Sequence, residues 1–190
     1  MKNDIHLSVI IPVYNSGSFL ENSLNEIEKF LTGQNFTSEL LVVDDGSTDS
    51  SLSIANEWAK APRRFLVSVL SLGKNTGKGA GVAKGMLEAK GKYSVFLDSD
   101  LAYEPLQILN LLNALENGSD LALACRVHPD SRYTISPKYF HYLYTRHLAS
   151  RLINWFLRCT IIPHCTDSQA GLKGFRSEVA KKIFSQQIIQ

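Results

Sequence analysis

Five short β-rich runs, separated by four segments of helical spacing, constrain this chain more than any other feature of it. The runs are residues 7–13, 39–44, 65–72, 93–98 and 121–126. The first is continuously apolar up to Pro12 and Asn15, which predicts a strand covered on both faces, as in a mostly parallel sheet. Residues 19–31 repeat Phe19, Leu20, Leu24, Ile27, Phe30 and Leu31 at helical spacing, with Ser16 or Ser18 placed to cap. Ser47 or Thr48 is placed to cap a second helix to 59, with Leu52, Ile54, Ala55 and Trp58 apolar. A Gly/Ala-rich helix is predicted over 77–89, where small residues permit close packing on a sheet. A fourth spans about 105–117, with Pro105 in its first turn. A βα unit repeated four times and closed by a strand predicts an α/β fold, a mostly parallel central sheet flanked by helices.

Three of these strands end in polar groups at what would be one edge of the sheet. Tyr14 and Asn15 follow the first strand, Asp44 and Asp45 the second, and Asp98 and Asp100 the fourth. Open α/β sheets bind ligands at that carboxyl edge. Two carboxylates one residue apart repel unless a cation neutralises them. A hard divalent ion bridging them to a substrate phosphate is the usual resolution. A carboxylate near the first crossover suits a base N–H or a ribose hydroxyl. The plainer reading makes Asp98 and Asp100 solvated turn acids, and Asp44-Asp45-Gly46-Ser47 turn chemistry with a helix cap. Asn75-Thr-Gly77-Lys78-Gly79-Ala-Gly81 lies between a strand and a helix. Its glycines would admit an anion to backbone N–H groups, with Lys78 adding a charge. It is neither a Walker loop nor a dinucleotide fingerprint: Gly79 follows Lys78, and the spacing differs. The alternative is a helix start with close packing.

With 20 Lys and Arg against 18 Asp and Glu, the charge balance suggests no nucleic-acid surface. Cys125, Cys159 and Cys165 are odd in number and lack CxxC spacing, which argues for reduced thiols in a cytoplasmic protein over disulfides or structural zinc. No apolar run reaches the ~18 residues of a membrane span, and residues 1–5 are no signal peptide. Residues 183–190 carry no closing element, so the expectation is one domain, 1–190, cut short at its C-terminus.

From Arg126 the character changes. Between Arg126 and Arg158 stand six Lys or Arg and one acid, Asp130, interleaved with Tyr133, Tyr139, Phe140, Tyr142, Tyr144, Trp155 and Phe156. Ser136 and Pro137 predict a helix start reaching about 157, and Ser177 is placed to cap a last helix. Such a basic, aromatic stretch suits either an anionic bilayer surface or a helix packed in a core.

Val9-Ile-Ile-Pro12-Val-Tyr14-Asn15, Val42-Val-Asp44-Asp45-Gly46-Ser47, Asn75-x-Gly77-Lys78-Gly79 and Leu97-Asp98-x-Asp100 resemble, in order and spacing, the family 2 glycosyltransferases of the GT-A fold. Asp167-Ser-Gln169-Ala-Gly171-Leu-Lys173-Gly-Phe175 looks like the corresponding segment of the polyprenyl-phosphate sugar transferases, which act on dolichyl or undecaprenyl phosphate. The resemblance runs over residues 7–184.

That resemblance implies a nucleotide-sugar half, 1–125, and an acceptor half, 126–190. Pro12, Tyr14, Asn15, Asp44, Asp45, Asn75, Gly77, Lys78 and Gly79 would meet the nucleotide, and Asp98 and Asp100 would hold Mg²⁺ or Mn²⁺ on the diphosphate. Arg126, Arg146 and Ser150 would meet the lipid phosphate and donor, and Gln169 and Lys173 the acceptor side. Asp98, Asp100, Arg126 and Asp167 would carry the reaction. The implied chemistry is inverting transfer of a hexose to polyprenyl phosphate, by an enzyme in peripheral contact with the cytoplasmic face of a membrane. Ser16 stands where Glu often follows Tyr-Asn, and Cys125 where a Ser usually precedes the Arg. Ala102 replaces a Gln that some mannose synthases use on the metal, which points toward a UDP-glucose-like donor. Two other readings stay open. One is a family 2 enzyme acting on a sugar hydroxyl, with Asp167 as base. The other is a non-catalytic nucleotide-sugar-binding domain.

Overall fold

The computed structural model describes residues 4–126, 167 and 169–186. The predicted helix at 136–157, with Arg146, Ser150 and most of the basic aromatic stretch, lies outside the described residues. The chain divides into two compact units, one of Met1–Ala122 with Gly171–Gln190 and one of Leu123–Ala170. Residues 171–190, assigned from sequence to the acceptor half, therefore belong to the first unit.

That unit is built on a six-stranded sheet in the order β3-β2-β1-β4-β6-β5. The strands are β1 Leu7–Val13, β2 Ser38–Asp44, β3 Leu66–Ser71, β4 Tyr93–Leu97, β5 Leu121–Leu123 and β6 Leu172–Arg176. β1 pairs in parallel with β2 and β4, and β2 with β3. Every residue of β1, β2 and β4 is buried, including the polar Ser8, Ser38, Glu39, Asp44 and Ser94, as strands covered by helices on both faces require. The helices are α1 Leu20–Thr32, α2 Ser51–Ala59, α3 Lys78–Glu88, α4 Ile108–Glu116 and α5 Ser177–Phe184. α3 and α5 share one core with Ile10, Leu41, Val43 and Phe96. The closeness of α3 has a visible cause: a Cβ on Gly85 would lie 2.4 Å from Ile10 Cγ2 and 3.1 Å from Val43 Cγ2.

Four features differ from the sequence reading. β6 was not expected as a strand. It inserts antiparallel beside β4, pairing Leu172 with Leu97 and Arg176 with Tyr93. β5 stops at Leu123 instead of running to 126. A 3₁₀ turn, Pro105–Gln107, precedes α4. Among the described residues, none of the expected serine caps forms. The Ser16 carbonyl, not its hydroxyl, accepts from Phe19 and Leu20 N–H at the start of α1. Ser47 and Thr48 are engaged by Asn15, so α2 begins later, at Ser51. Ser177 Oγ donates to the Gly91 carbonyl and lies 2.9 Å from Ser94 Oγ, tying α5 to β4.

Candidate active site

The parallel register brings the three polar strand ends to one edge. Val13 pairs with Asp44, and Ile10 with Phe96. Two further bonds carry the pairing past the strands: Asp45 N–H donates to Val13 O at 2.8 Å, and Leu72 N–H to Asp44 O at 2.9 Å. A cleft of about 420 Å³ opens there. Of the predicted residues, Pro12, Tyr14, Asp45, Asn75, Gly77, Lys78, Asp98 and Asp100 line it.

The two acids after β2 take different positions. Asp44 is buried and spends its carboxylate on the loop, accepting from Ser47 N–H at 3.2 Å and Ser71 Oγ at 3.4 Å. Asp45 is the one that reaches the cleft. Its Oδ1 accepts from the Thr76 amide at 2.8 Å and hydroxyl at 2.9 Å, which joins the β2 loop to the β3 loop. Gly46 makes that join possible. It has φ +69°, and a Cβ there would meet Lys74 and Asn75 backbone atoms at 2.3–2.6 Å.

Asn15 supports the site without lining the cleft. At φ +49° it accepts from Thr48 N–H at 2.9 Å and donates its own N–H to Ser47 Oγ at 3.0 Å. Asp49 adds a second strap, accepting from Gly17 N–H at 2.9 Å and from the Ser51 hydroxyl and amide. The Ser51 hydroxyl, then those amides, hold the Asp49 carboxyl below its ordinary range. Gly79 lies exposed in the first turn of α3.

Asp98 stands one residue past the end of β4, and Asp100 three. Asp98 N–H donates to Gly171 O at 3.2 Å, and a Cβ on Gly171 would lie 2.3 Å from Asp98 Oδ2. The carboxylate is therefore seated against a glycine that leaves room for it. Asp98 Oδ1 lies 2.5 Å from Lys78 Nζ, yet outside hydrogen-bond geometry, so this buried oxygen has no hydrogen-bond donor among the described residues. Asp100 is exposed, and its Oδ1 accepts from Ala102 N–H at 3.1 Å. Between them stands Ser99, whose Oγ lies 3.2 Å from Ser16 Oγ. Leu101 is held at φ +50°, a conformation costly for a branched side chain.

These residues fit a divalent ion of one kind. No group of three or more His, Cys, Asp or Glu able to hold a metal occurs among the described residues. Two carboxylates, one with an orphaned buried oxygen, suit a hard ion that completes its shell with phosphate and water.

In the second unit, Asp167 is buried and gripped by Arg126. Burial pushes its carboxyl up, but the Arg126 side-chain and backbone hydrogen bonds and charge outweigh burial and hold it at about 2. Gln169 is exposed, and its N–H donates to Asp167 Oδ1 at 3.2 Å. Lys173, in the first unit, sits mid-strand in β6 opposite Phe96, with Nζ 5.7 Å from that ring's centroid.

Sequence reasoning missed Val13, Ser16, Phe19 and Ser99 as cleft residues, and Thr76 and Gly171 as supports. Ser99 and Thr76 occupy the unassigned positions inside Asp98-x-Asp100 and Asn75-x-Gly77, which was the available signal.

The chain is 32% identical over 192 residues to a dolichyl-phosphate beta-glucosyltransferase of Drosophila melanogaster, covering 95% of this chain and 57% of that protein. It is 32% identical over 179 residues to a dolichol-phosphate mannosyltransferase of Pyrococcus furiosus, covering 93% and 48%. The chain thus spans about half the length of the relatives it matches. A Pyrobaculum calidifontis mannosyltransferase solved in complex with GDP-Man and Mn²⁺ superposes with a TM-score of 0.62 at 19% identity, over 96% of this chain and 47% of that one. The α/β fold, with its mostly parallel sheet, is the GT-A fold. The family model described as "Glycosyl transferase family 2" matches residues 8–184, and the chain belongs to that family.

Proposed function

We propose that this chain carries the donor-binding machinery of an inverting, divalent-metal-dependent hexosyltransferase, which moves a sugar from a UDP-glucose-like donor to a polyprenyl phosphate. The observation that carries the reading is the convergence of Asp45, Lys78, Asp98 and Asp100 on one cleft at the carboxyl edge of parallel strands. The relatives named for dolichyl-phosphate glucosyl transfer support the lipid phosphate and the glucose. Ala102, in place of a metal-binding Gln, supports UDP over GDP.

In this reading Asp45 accepts from the base or ribose. Asp98 and Asp100 hold Mg²⁺ or Mn²⁺, an ion of the kind present in the Pyrobaculum neighbour. When bound, that ion offsets the charge that develops on the departing diphosphate. Lys78 and the amides opening α3 add positive potential on the same side. An acceptor phosphate is already anionic at neutral pH, so it needs cationic positioning more than a base. Arg126, Arg146 and Ser150 are assigned to that positioning, and Gln169 and Lys173 to the acceptor side. The basic aromatic stretch is assigned to peripheral contact with the cytoplasmic membrane face. Among the described residues no helix is long and apolar enough to cross a membrane.

The hydroxyl-acceptor reading needs a basic carboxylate, and Asp167 serves it poorly. With both oxygens bonded by Arg126 and a pKa of about 2, it is a weak proton acceptor.

The test is calorimetric titration of UDP-glucose and of GDP-mannose, each with Mn²⁺, followed by turnover with a short polyprenyl phosphate. Tighter UDP-glucose binding and a glucosylated lipid phosphate support the reading. Binding with no transfer to any acceptor assigns a binding domain instead. Transfer to sugar hydroxyls alone overturns the acceptor.

A further inference from the structure

We propose that Lys78 is a resident counter-cation on Asp98, and that a divalent ion enters by displacing it. The proposal rests on the metal reading above and adds an order of events to it.

Three observations converge. Lys78 Nζ lies 2.5 Å from Asp98 Oδ1, an oxygen of the carboxylate that the metal reading gives to the ion. That oxygen is otherwise buried and accepts no hydrogen bond among the described residues, so the ammonium alone balances its charge. The contact is a single ammonium–carboxylate contact from a half-exposed side chain, easier to exchange than a bidentate pair.

The two partners differ in freedom. Asp98 is fixed at its root by the Asp98 N–H to Gly171 O bond, and its Oδ2 rests where a Gly171 Cβ would be. It has little room to turn away. Lys78 stands at the first position of α3 with its side chain 55% exposed, on a flexible four-carbon stem. Lysine is therefore the partner that moves.

A divalent ion taking Asp98 Oδ1 would stand against an ammonium that lies 2.5 Å from the same oxygen, and the two cations repel. As the ion arrives on Asp98 and Asp100, Lys78 is released within the same cleft. There the nearest strong anion is the diphosphate that accompanies the ion. One side chain thus offsets the Asp98 charge before the ion enters and then contributes to the filled site. It opposes metal without donor and favours donor with metal, which makes the two bind cooperatively.

The test measures Mn²⁺ binding to the full chain from the loss of the free Mn²⁺ paramagnetic resonance signal, with and without UDP. The proteins are wild type, Lys78→Met, Asp98→Asn and Lys84→Met. Lys84 lies on the same helix, paired with Glu88 at 2.9 Å, and controls for removing a positive charge. The expected result is opposite signs for Lys78→Met. Mn²⁺ alone binds about fivefold tighter, the size of a partly exposed ion pair, while UDP binds more weakly in the presence of saturating Mn²⁺. Lys84→Met moves both by less than about twofold. Mn²⁺ affinity unchanged or weakened in Lys78→Met, while Asp98→Asn abolishes binding, overturns the exchange and leaves the metal site standing. Mn²⁺ binding that survives in Asp98→Asn, or is absent from every protein even with UDP, overturns the metal reading and the exchange with it.

Discussion

Arg126 meets Asp167 with three donors: its amide and Nε bond Oδ2 at 2.9 and 2.8 Å, and Nη2 bonds Oδ1 at 2.8 Å. The carboxyl pKa of about 2 lies below the ordinary value of 3.8. A depressed carboxyl stabilises the fold above its unfolded pKa, and that contribution is lost as pH falls through the folded one. The shift corresponds to about 2 kcal/mol. Asp167→Asn is expected to lose roughly that amount at pH 7 and to flatten the stability profile between about pH 4 and 2. Urea unfolding of both proteins across that range checks it. A variant as pH-sensitive as wild type would remove Asp167 as the cause.

Thr76 holds Asp45 through both amide and hydroxyl. Thr76→Val removes only the hydroxyl bond and is expected to cost about 1 kcal/mol of stability. UDP affinity should fall several-fold, with Thr76→Ser restoring it. UDP titration of the three proteins decides the matter. Unchanged affinity in Thr76→Val would dissociate Asp45 from the donor.

Gly46 and Gly73 share a positive φ, +69° and +74°, but differ in surroundings. A Cβ at 46 strikes backbone, while one at 73 meets nothing within 4 Å. Gly73→Ala is expected to cost about 1 kcal/mol of conformational strain. Gly46→Ala adds a clash that only loop movement relieves, and should cost roughly 3 kcal/mol. Equal urea midpoints for the two variants would rule out the clash.

Gly171→Ala places a methyl group on Asp98 Oδ2. The carboxylate must shift while the strand pairing of β6 can persist. Mn²⁺-dependent UDP binding is expected to weaken on the order of tenfold, as for other supports of metal ligands. The thermal midpoint should change little. A large drop in that midpoint with unaltered Mn²⁺ affinity would make Gly171 structural.

What was legible in the sequence follows the strength of local signals. β1 was read to its observed ends because an apolar run, interrupted only by Ser8, meets Pro12 and Asn15. The acids at strand tips were legible for the same reason: a carboxylate beside a buried run stands out. β6 was not, because Leu172-Lys-Gly-Phe-Arg176 mixes glycine and cations into five residues and owes its strand state to β4. The serine caps were misread because each hydroxyl or amide had a distant partner, up to 86 residues away for Ser177 and Gly91, that no local pattern reveals. The division of labour between Asp44 and Asp45 likewise depends on Ser71, at the end of β3, and Thr76, in the loop after it.

β6 sits between β4 and β5, so the last stretch of chain in the sheet is an interior plank laid after its neighbours. Trimming the protein back to its first 170 residues would do more than shorten a tail. It would pull that plank from the middle of the floor, strip the backing from Asp98, and leave β4 with a raw edge on which another polypeptide could pair.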